Sequence, residues 1–219
     1  MLLYNREIIF KWEFDLRYKK SELTRLRILE AAEAEFAEKG VSGARIDSIA
    51  QNAGVNKRMI YEYYESKEGL YKTVLINVYN RVSLWEADFS YDSASPKEAI
   101  RNLVHSYFEF LAADQSFVRI LMWENLNGAA LLREAGQTDL KAVALDFIGR
   151  VIAKGKADGT FRAEADEYQV TVSLLNFAFS YFTNVHTLSY VLSSDMLDSE
   201  KISERADFIS DILIKYLSA

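Results

Sequence analysis

The segment from Ile46 to Tyr71, IDSIAQNAGVNKRMIYEYYESKEGLY, holds two short helical patterns that meet at Ala53, Gly54 and Val55. In the first, Ile46, Ile49, Ala50 and Ala53 recur at helical spacing, which buries one side and leaves Asp47, Ser48, Gln51 and Asn52 in water. Gly54 ends that helix, because glycine takes the left-handed backbone of a sharp reversal at little steric cost. Asn56 caps the next helix, its side-chain oxygen accepting an orphan backbone N–H. That helix runs through Tyr64, with Ile60 and Tyr64 packing inward beside Val55, and Lys57, Arg58, Tyr61 and Glu62 lying opposite. Two short helices joined by a tight glycine turn predict a helix-turn-helix.

The outer face of the second helix suits a major groove. Lys57 and Arg58 sit on its first turn, where a recognition helix meets bases, and arginine reaches guanine as a bidentate fork. Tyr61 and Tyr63 offer hydroxyls to phosphate. A glycine turn with two basic residues also occurs on merely solvated helices, so these features alone leave both readings open. The full string decides: it resembles the DNA-binding domain of the TetR family of transcriptional regulators. The matching residues are Ile49 and Ala50; Ala53, Gly54 and Val55; Tyr61 and Tyr64; and Ser66, Lys67, Glu68, Leu70 and Tyr71. Upstream, RILEAAEAEFAEKGV resembles that family's first helix, and the likeness spans about residues 22 to 75.

The resemblance implies a DNA-contacting set of Arg45, Asn56, Lys57, Arg58, Met59, Tyr61, Glu62, Tyr63 and Lys67. Three positions depart from the family pattern. Arg45 stands where the family often has a capping, phosphate-touching threonine, so the cap of that helix must come from elsewhere. Arg58 and Met59 replace the small residues common early in the recognition helix. Glu62 puts a carboxylate on the DNA side, which phosphate repels unless a cytosine amino group donates to it, and so points to an altered operator sequence.

The formal charge of −6 argues at first against nucleic acid. Residues 1–72, however, hold 13 Lys or Arg against 12 Asp or Glu, a net of +1, and residues 73–219 hold 13 against 20, a net of −7. In the amino-terminal third, acids crowd Glu30, Glu33, Glu35 and Glu38, apart from bases at Lys19, Lys20, Arg25, Arg45, Lys57, Arg58 and Lys67. Phosphate responds to the local surface within a Debye length. With half its residues apolar and a single proline, the 219-residue chain suits an all-α fold of about nine helices.

Three regions are expected: an extension at 1–20, the helix-turn-helix domain at 21–66, and a larger effector-binding and dimerisation domain at 67–219. The extension reads either as an element packed on the body or as a basic arm tracking DNA. The first matched helix spans about Glu22 to Lys39 and stops at Gly40, with Leu29, Ala32 and Phe36 facing the helix-turn-helix. Ser66 caps a long helix from Lys67 to about Tyr91. Ser95, Pro96, Lys97 and Glu98 form a capping box with proline in the first helical position, opening a helix to about Ala113. Asp114 opens another, fading at Asn125 to Gly128; a further pattern covers about Ala130 to Ala157, interrupted near Gly136. Asp166 opens a helix to about Leu192, apolar nearly all round, and the last helix runs from about Ser199 to Leu217.

In that last helix Ile202, Ala206, Ile209, Leu213 and Tyr216 form a coiled-coil-like seam, with Phe208 and Ile212 on the neighbouring stripe. The family's arrangement implies that the last two helices pair with their copies through Leu175, Phe179, Phe182 and this seam, giving a homodimer. Such a dimer would set two recognition helices roughly 34 Å apart on a pseudo-palindromic operator. The resemblance also implies an effector cavity among Trp85, Phe89, His105, Tyr107, Phe108, Met122, Trp123, Phe147, Phe177, Tyr181 and His186. Aromatic walls with few polar groups suit a small hydrophobic or aromatic effector, with Glu124, Asn125 and Asn176 as polar anchors.

Other chemistries are poorly supported. The chain has no cysteine and two histidines, neither spaced for metal ligation, and no phosphate loop, dinucleotide fingerprint or nucleophile elbow. Neither cofactor nor metal is expected, and the reading is not an enzyme. No run is long and apolar enough for a membrane span, and nothing near the start resembles a signal peptide, so a bacterial cytoplasmic, nucleoid-associated location is expected. The function expected is a transcriptional repressor that the effector releases from double-stranded operator DNA. The alternative is a same-fold architectural or cell-division factor without an effector.

Overall fold

Side chains that begin helices in the sequence begin them in the computed structural model, which describes residues 20–87, 95–134 and 142–218. Ser95 Oγ accepts from the N–H of Glu98 while Glu98 Oε2 accepts from the N–H of Ser95, with Pro96 next in line. Asp114, Asp166 and Asp198 cap three further helices through their carboxylates. Eleven helices result among the described residues: α1 Lys20–Gly43, α2 Ile46–Ala53, α3 Lys57–Tyr64, α4 Lys67–Ala87, α5 Pro96–Ala113, α6 Gln115–Leu126, α7 Ala130–Glu134, α8 Ala142–Ala157, α9 Glu167–Thr183, α10 Val185–Val191 and α11 Ser199–Leu217. The fold is all-α, with one isolated antiparallel bridge between Phe161 and Ser218. The number exceeds nine because the described residues give two helices within each of two expected patterns. The pattern at Ala130–Ala157 is α7 and α8, and the one from Asp166 is broken at Asn184, whose Nδ2 donates to Ser180 O at 2.8 Å.

Two compact units divide within α4, between Val74 and Leu75. That is about two turns later than the sequence boundary at 66/67, and the reason is burial. Leu70, Tyr71 and Val74, the apolar residues of the first turns of α4, belong to the core of the first unit. The Tyr71 ring meets Phe36 of α1 edge to face, 4.9 Å between centroids. The inward stripe of α1 is Ile28, Ala32 and Phe36, all fully buried, whereas Leu29 is only half-buried. Each large side chain buried this way contributes about 1.5–3 kcal/mol. Gly40, at φ 65, interrupts α1 where the sequence ends it.

In the second unit α9 lies against α5, α6, α8 and α11, and α11 packs along α5. The chain covers one face of the very apolar α9 by itself, burying Val170, Leu174, Ala178, Tyr181 and Phe182 and leaving Leu175 39% exposed. Ile202, Ala206, Ile209 and Leu213 are buried within the single chain, because that stripe of α11 is the one packed on its own body. Phe182 is buried in the same way. The large apolar side chains that α9 and α11 leave at the surface include Tyr168, Leu175, Phe208, Ile212 and Tyr216. No helix among the described residues is long and apolar enough to cross a membrane.

Candidate nucleic-acid interface

The turn between α2 and α3 is built as its residues dictate. Gly54 has φ 64 and ψ 40, the left-handed region, and its N–H returns to Gln51 O while that of Val55 returns to Ala50 O. Asn56 Oδ1 then accepts the N–H of Arg58 at 2.8 Å, satisfying a donor at the start of α3. Ile60 anchors the helix, fully buried, and Tyr64 hydrogen-bonds the carbonyl of Arg25 on α1 at 3.2 Å. Lys57, Arg58, Tyr61 and Glu62 remain exposed along the other side.

The predicted contact residues fall into two groups. Arg45 and Asn56 are exposed, Lys57 Nζ pairs with Asp47 of α2 at 2.9 Å, and Arg58 Nε pairs with Glu62 at 2.8 Å. The Asp47 carboxylate, accepting from the Lys57 ammonium, holds that ammonium above its ordinary value. Lys67, half-buried at the start of α4, donates to the carbonyl of Ala44 at 3.3 Å, beside Arg45. These contacts tie the beginnings of α3 and α4 to the beginning of α2. The Tyr63 ring lies 4.9 Å beneath the guanidinium of Arg25, and Met59 is half-buried.

One donor at the start of α2 is met by Glu35. Arg45 makes no side-chain cap, but its N–H donates to Glu35 Oε1 at 3.1 Å, while Lys39 holds Oε2 at 2.9 Å. Burial raises the Glu35 carboxyl; the hydrogen bond from Lys39, that from the Arg45 N–H and both nearby cations outweigh it, so the net shift is downward. The missed signal was position. Glu35 sits inside the stripe of Ile28, Ala32 and Phe36, where a solvated acid has no place.

The residues expected around an effector have partners of their own. Trp85 donates through Nε1 to Ser106 Oγ at 2.7 Å and stacks near Tyr107 and Phe110, at 5.6 and 5.5 Å. Phe108 contacts the Tyr181 and Phe182 rings instead, and the Tyr181 hydroxyl donates to Met196 O. Phe147 is buried, Met122 and Trp123 are half-buried, and Phe89 lies outside the described residues. His186 is exposed on α10, and His105 hydrogen-bonds Asp207 of α11 at 3.0 Å, in a network where Arg101 also holds Asp207 and Asp211. Of the proposed anchors, Glu124 is buried but its Oε2 accepts from the N–H of Leu132, and Asn125 and Asn176 donate to carbonyls of their own helices. Phe177 lines a groove of about 340 Å³ with Gln169, Val170, Ser173, Ile212, Leu213 and Tyr216, between α9 and α11. Among the described residues no cluster of three or more His, Cys, Asp or Glu is placed to hold a metal ion.

The chain is 33% identical over 205 residues to the HTH-type transcriptional repressor NicS of Pseudomonas putida, covering 92% of this chain and 96% of that protein. The fold is similar to that of the transcriptional regulator FadR from Bacillus subtilis in complex with stearoyl-CoA, at a TM-score of 0.67 and 18% identity, over 88% of this chain and 98% of that one. It is similar also to that of the ketosteroid transcriptional regulator KstR2 of Mycobacterium tuberculosis, at 0.67 and 19%, over 89% and 95%. Residues 28–74 match the family described as bacterial regulatory proteins, tetR family, and residues 96–213 match the tetracyclin repressor-like C-terminal domain. With both of these regions and a relative along nearly its whole length, the chain belongs to the TetR family of DNA-binding transcriptional regulators.

Proposed function

We propose that this chain is a homodimeric repressor that occupies a pseudo-palindromic operator and leaves it when a small hydrophobic or aromatic effector binds. The observation that carries the reading is α3: a short helix capped by Asn56, anchored by Ile60, with Arg58 and Tyr61 projecting from its free face. Phosphate contacts from Tyr61 and Lys67 fix position, and Arg58 reads a base. The repressor sense is supported by NicS, named a repressor and similar along nearly the whole chain. An apolar effector is supported by the rings around Trp85 and Phe108, and by the stearoyl-CoA in the FadR complex.

Dimerisation is supported by apolar side chains that α9 and α11 leave exposed, Leu175, Phe208, Ile212 and Tyr216, beside the groove lined by Phe177. α4 is one uninterrupted helix from Lys67 to Ala87, and Trp85 stands near its far end. An effector that binds the non-reading conformation better shifts the population by that difference in affinity and no more. The test is selection of duplexes by the purified protein from a random pool. A two-fold symmetric site with half-sites about one turn apart is expected. Lys67→Ala should then lower the salt slope of binding by about one, and Arg58→Ala should relax one base position. Enrichment of no sequence, or of asymmetric sites only, overturns the proposal.

A further inference from the structure

Both cations at the start of α3 are already paired with carboxylates of the same unit. Lys57 Nζ lies 2.9 Å from Asp47 Oδ1 on α2, and Arg58 Nε lies 2.8 Å from Glu62 Oε1 one turn further along α3. All four side chains are open to solvent, at 47% and 63% for the first pair and 86% and 55% for the second. Pairs this exposed stabilise a fold very little, so pairing by itself is a weak structural reason for either carboxylate, although Asp47 also faces the positive end of α2. Their position on the reading face gives another.

We propose that Asp47 and Glu62 are specificity-determining residues: by neutralising Lys57 and Arg58 they suppress binding to the DNA backbone alone, while Glu62 also orients Arg58 to read guanine. This rests on the reading of α3 as the helix that enters the groove. A phosphate approaching either cation meets a carboxylate within hydrogen-bonding distance of it, and the four groups together carry no formal charge. Non-specific affinity grows with the number of cations that displace counterions, so each closed pair removes one from that number. Guanine is different, because its O6 and N7 are neutral acceptors that a nearby carboxylate does not repel as it repels phosphate. With Nε held by Glu62, the two terminal nitrogens of Arg58 form an outward edge, and that edge makes the paired bonds to O6 and N7.

Glutamine in place of Glu62 removes the charge but keeps an oxygen for Nε, whereas alanine removes both. The experiment measures full-length wild type, Asp47→Asn, Glu62→Gln, Glu62→Ala and Arg58→Ala against the duplex selected by wild type and an unrelated duplex of equal length, between about 50 and 200 mM salt. Asp47→Asn and Glu62→Gln should each bind the unrelated duplex more tightly and steepen its salt slope by about one. That slope is a further loss of about three- to fourfold in affinity across the salt range. Glu62→Gln should keep the guanine preference that Glu62→Ala loses. An unrelated duplex bound identically by wild type, Asp47→Asn and Glu62→Gln overturns the charge role, and an unchanged base preference in Glu62→Ala overturns the orienting role. If Arg58→Ala alters neither duplex, α3 is not the reading helix and both proposals fall together.

Discussion

The N–H of Arg45, the residue that precedes α2, donates to the carboxylate of Glu35, ten residues earlier on α1 and only 4% exposed. A helix start that lacks a side-chain cap of its own is thus satisfied from a neighbouring helix. The same carboxylate holds Lys39, so both oxygens are engaged and its burial is compensated. One acid therefore sets how α2, and through the Gly54 turn α3, leaves α1.

Glu35→Ala should destabilise the protein by about 1–3 kcal/mol, since it leaves the N–H of Arg45 and the Lys39 ammonium without their acceptor. Glu35→Gln should cost less, because an oxygen remains for Arg45. The pH dependence has a definite sign. The folded carboxyl lies below its ordinary value of 4.5, so the unfolded chain binds the proton more readily. The contribution of Glu35 is therefore complete above that value and is lost as pH falls through the folded one. Urea unfolding of wild type and Glu35→Gln between pH 3 and 7 should show the gap between them closing on the acid side; a constant gap contradicts the assignment.

Gly54→Ala should lower stability by about 1–2 kcal/mol, the cost of a side chain in the left-handed region. Space is not the obstacle, since the nearest atom to an added Cβ is on the mobile Arg27 side chain, at 3.8 Å. The loss should show in thermal unfolding and equally in operator affinity, because the residue that fails to turn is the one that aims α3. An alanine variant as stable as wild type contradicts this account of the turn.

The contrast between Gly54 and Glu35 explains what was legible in the chain. Turn and cap residues act on their immediate neighbours, so Gly54, Asn56, the Ser95 box and the helix they bound could be read from spacing alone. Glu35 acts on a residue ten positions away across a fold, and among Glu30, Glu33 and Glu38 it looks like one more solvated acid. The seam on α11 is legible only in part for a related reason. Periodicity shows that Ile202, Ala206, Ile209 and Leu213 need cover, but it carries no information on whether the cover is α5 of the same chain or a second copy. The apolar character of the aromatic residues assigned to the pocket is legible, but their partners are not: Trp85 meets Tyr107 and Phe110, Phe108 meets Tyr181 and Phe182, and His105 hydrogen-bonds Asp207.

Asp114→Ala should be among the most damaging single changes in the second unit, on the order of 3 kcal/mol. Its Oδ1 accepts the N–H of Phe117, capping α6, and the Ser116 hydroxyl; the carboxylate also pairs with Arg81 of α4 at 2.7 Å, where both side chains are largely shielded. Asp114→Asn keeps the cap and loses the charge, so it should fall between wild type and alanine. Equal unfolding midpoints for the asparagine and alanine variants would show that the cap contributes nothing.

Ile209 and Ile212, three residues apart on α11, should respond oppositely to substitution. Ile209 is fully buried, so Ile209→Ala opens a cavity and should cost about 2–5 kcal/mol at every protein concentration. Ile212 is 38% exposed and borders the groove between α9 and α11, so Ile212→Glu should leave the helical content of the protomer intact. On the proposed dimer, however, a carboxylate there is buried without a partner against the second copy, and the molecule should sediment as a monomer. Unfolding of a dimer depends on protomer concentration, and that dependence should persist in Ile209→Ala and vanish in Ile212→Glu. If Ile212→Glu remains dimeric, the exposed stripe of α11 is not the contact, and the two copies meet through another face.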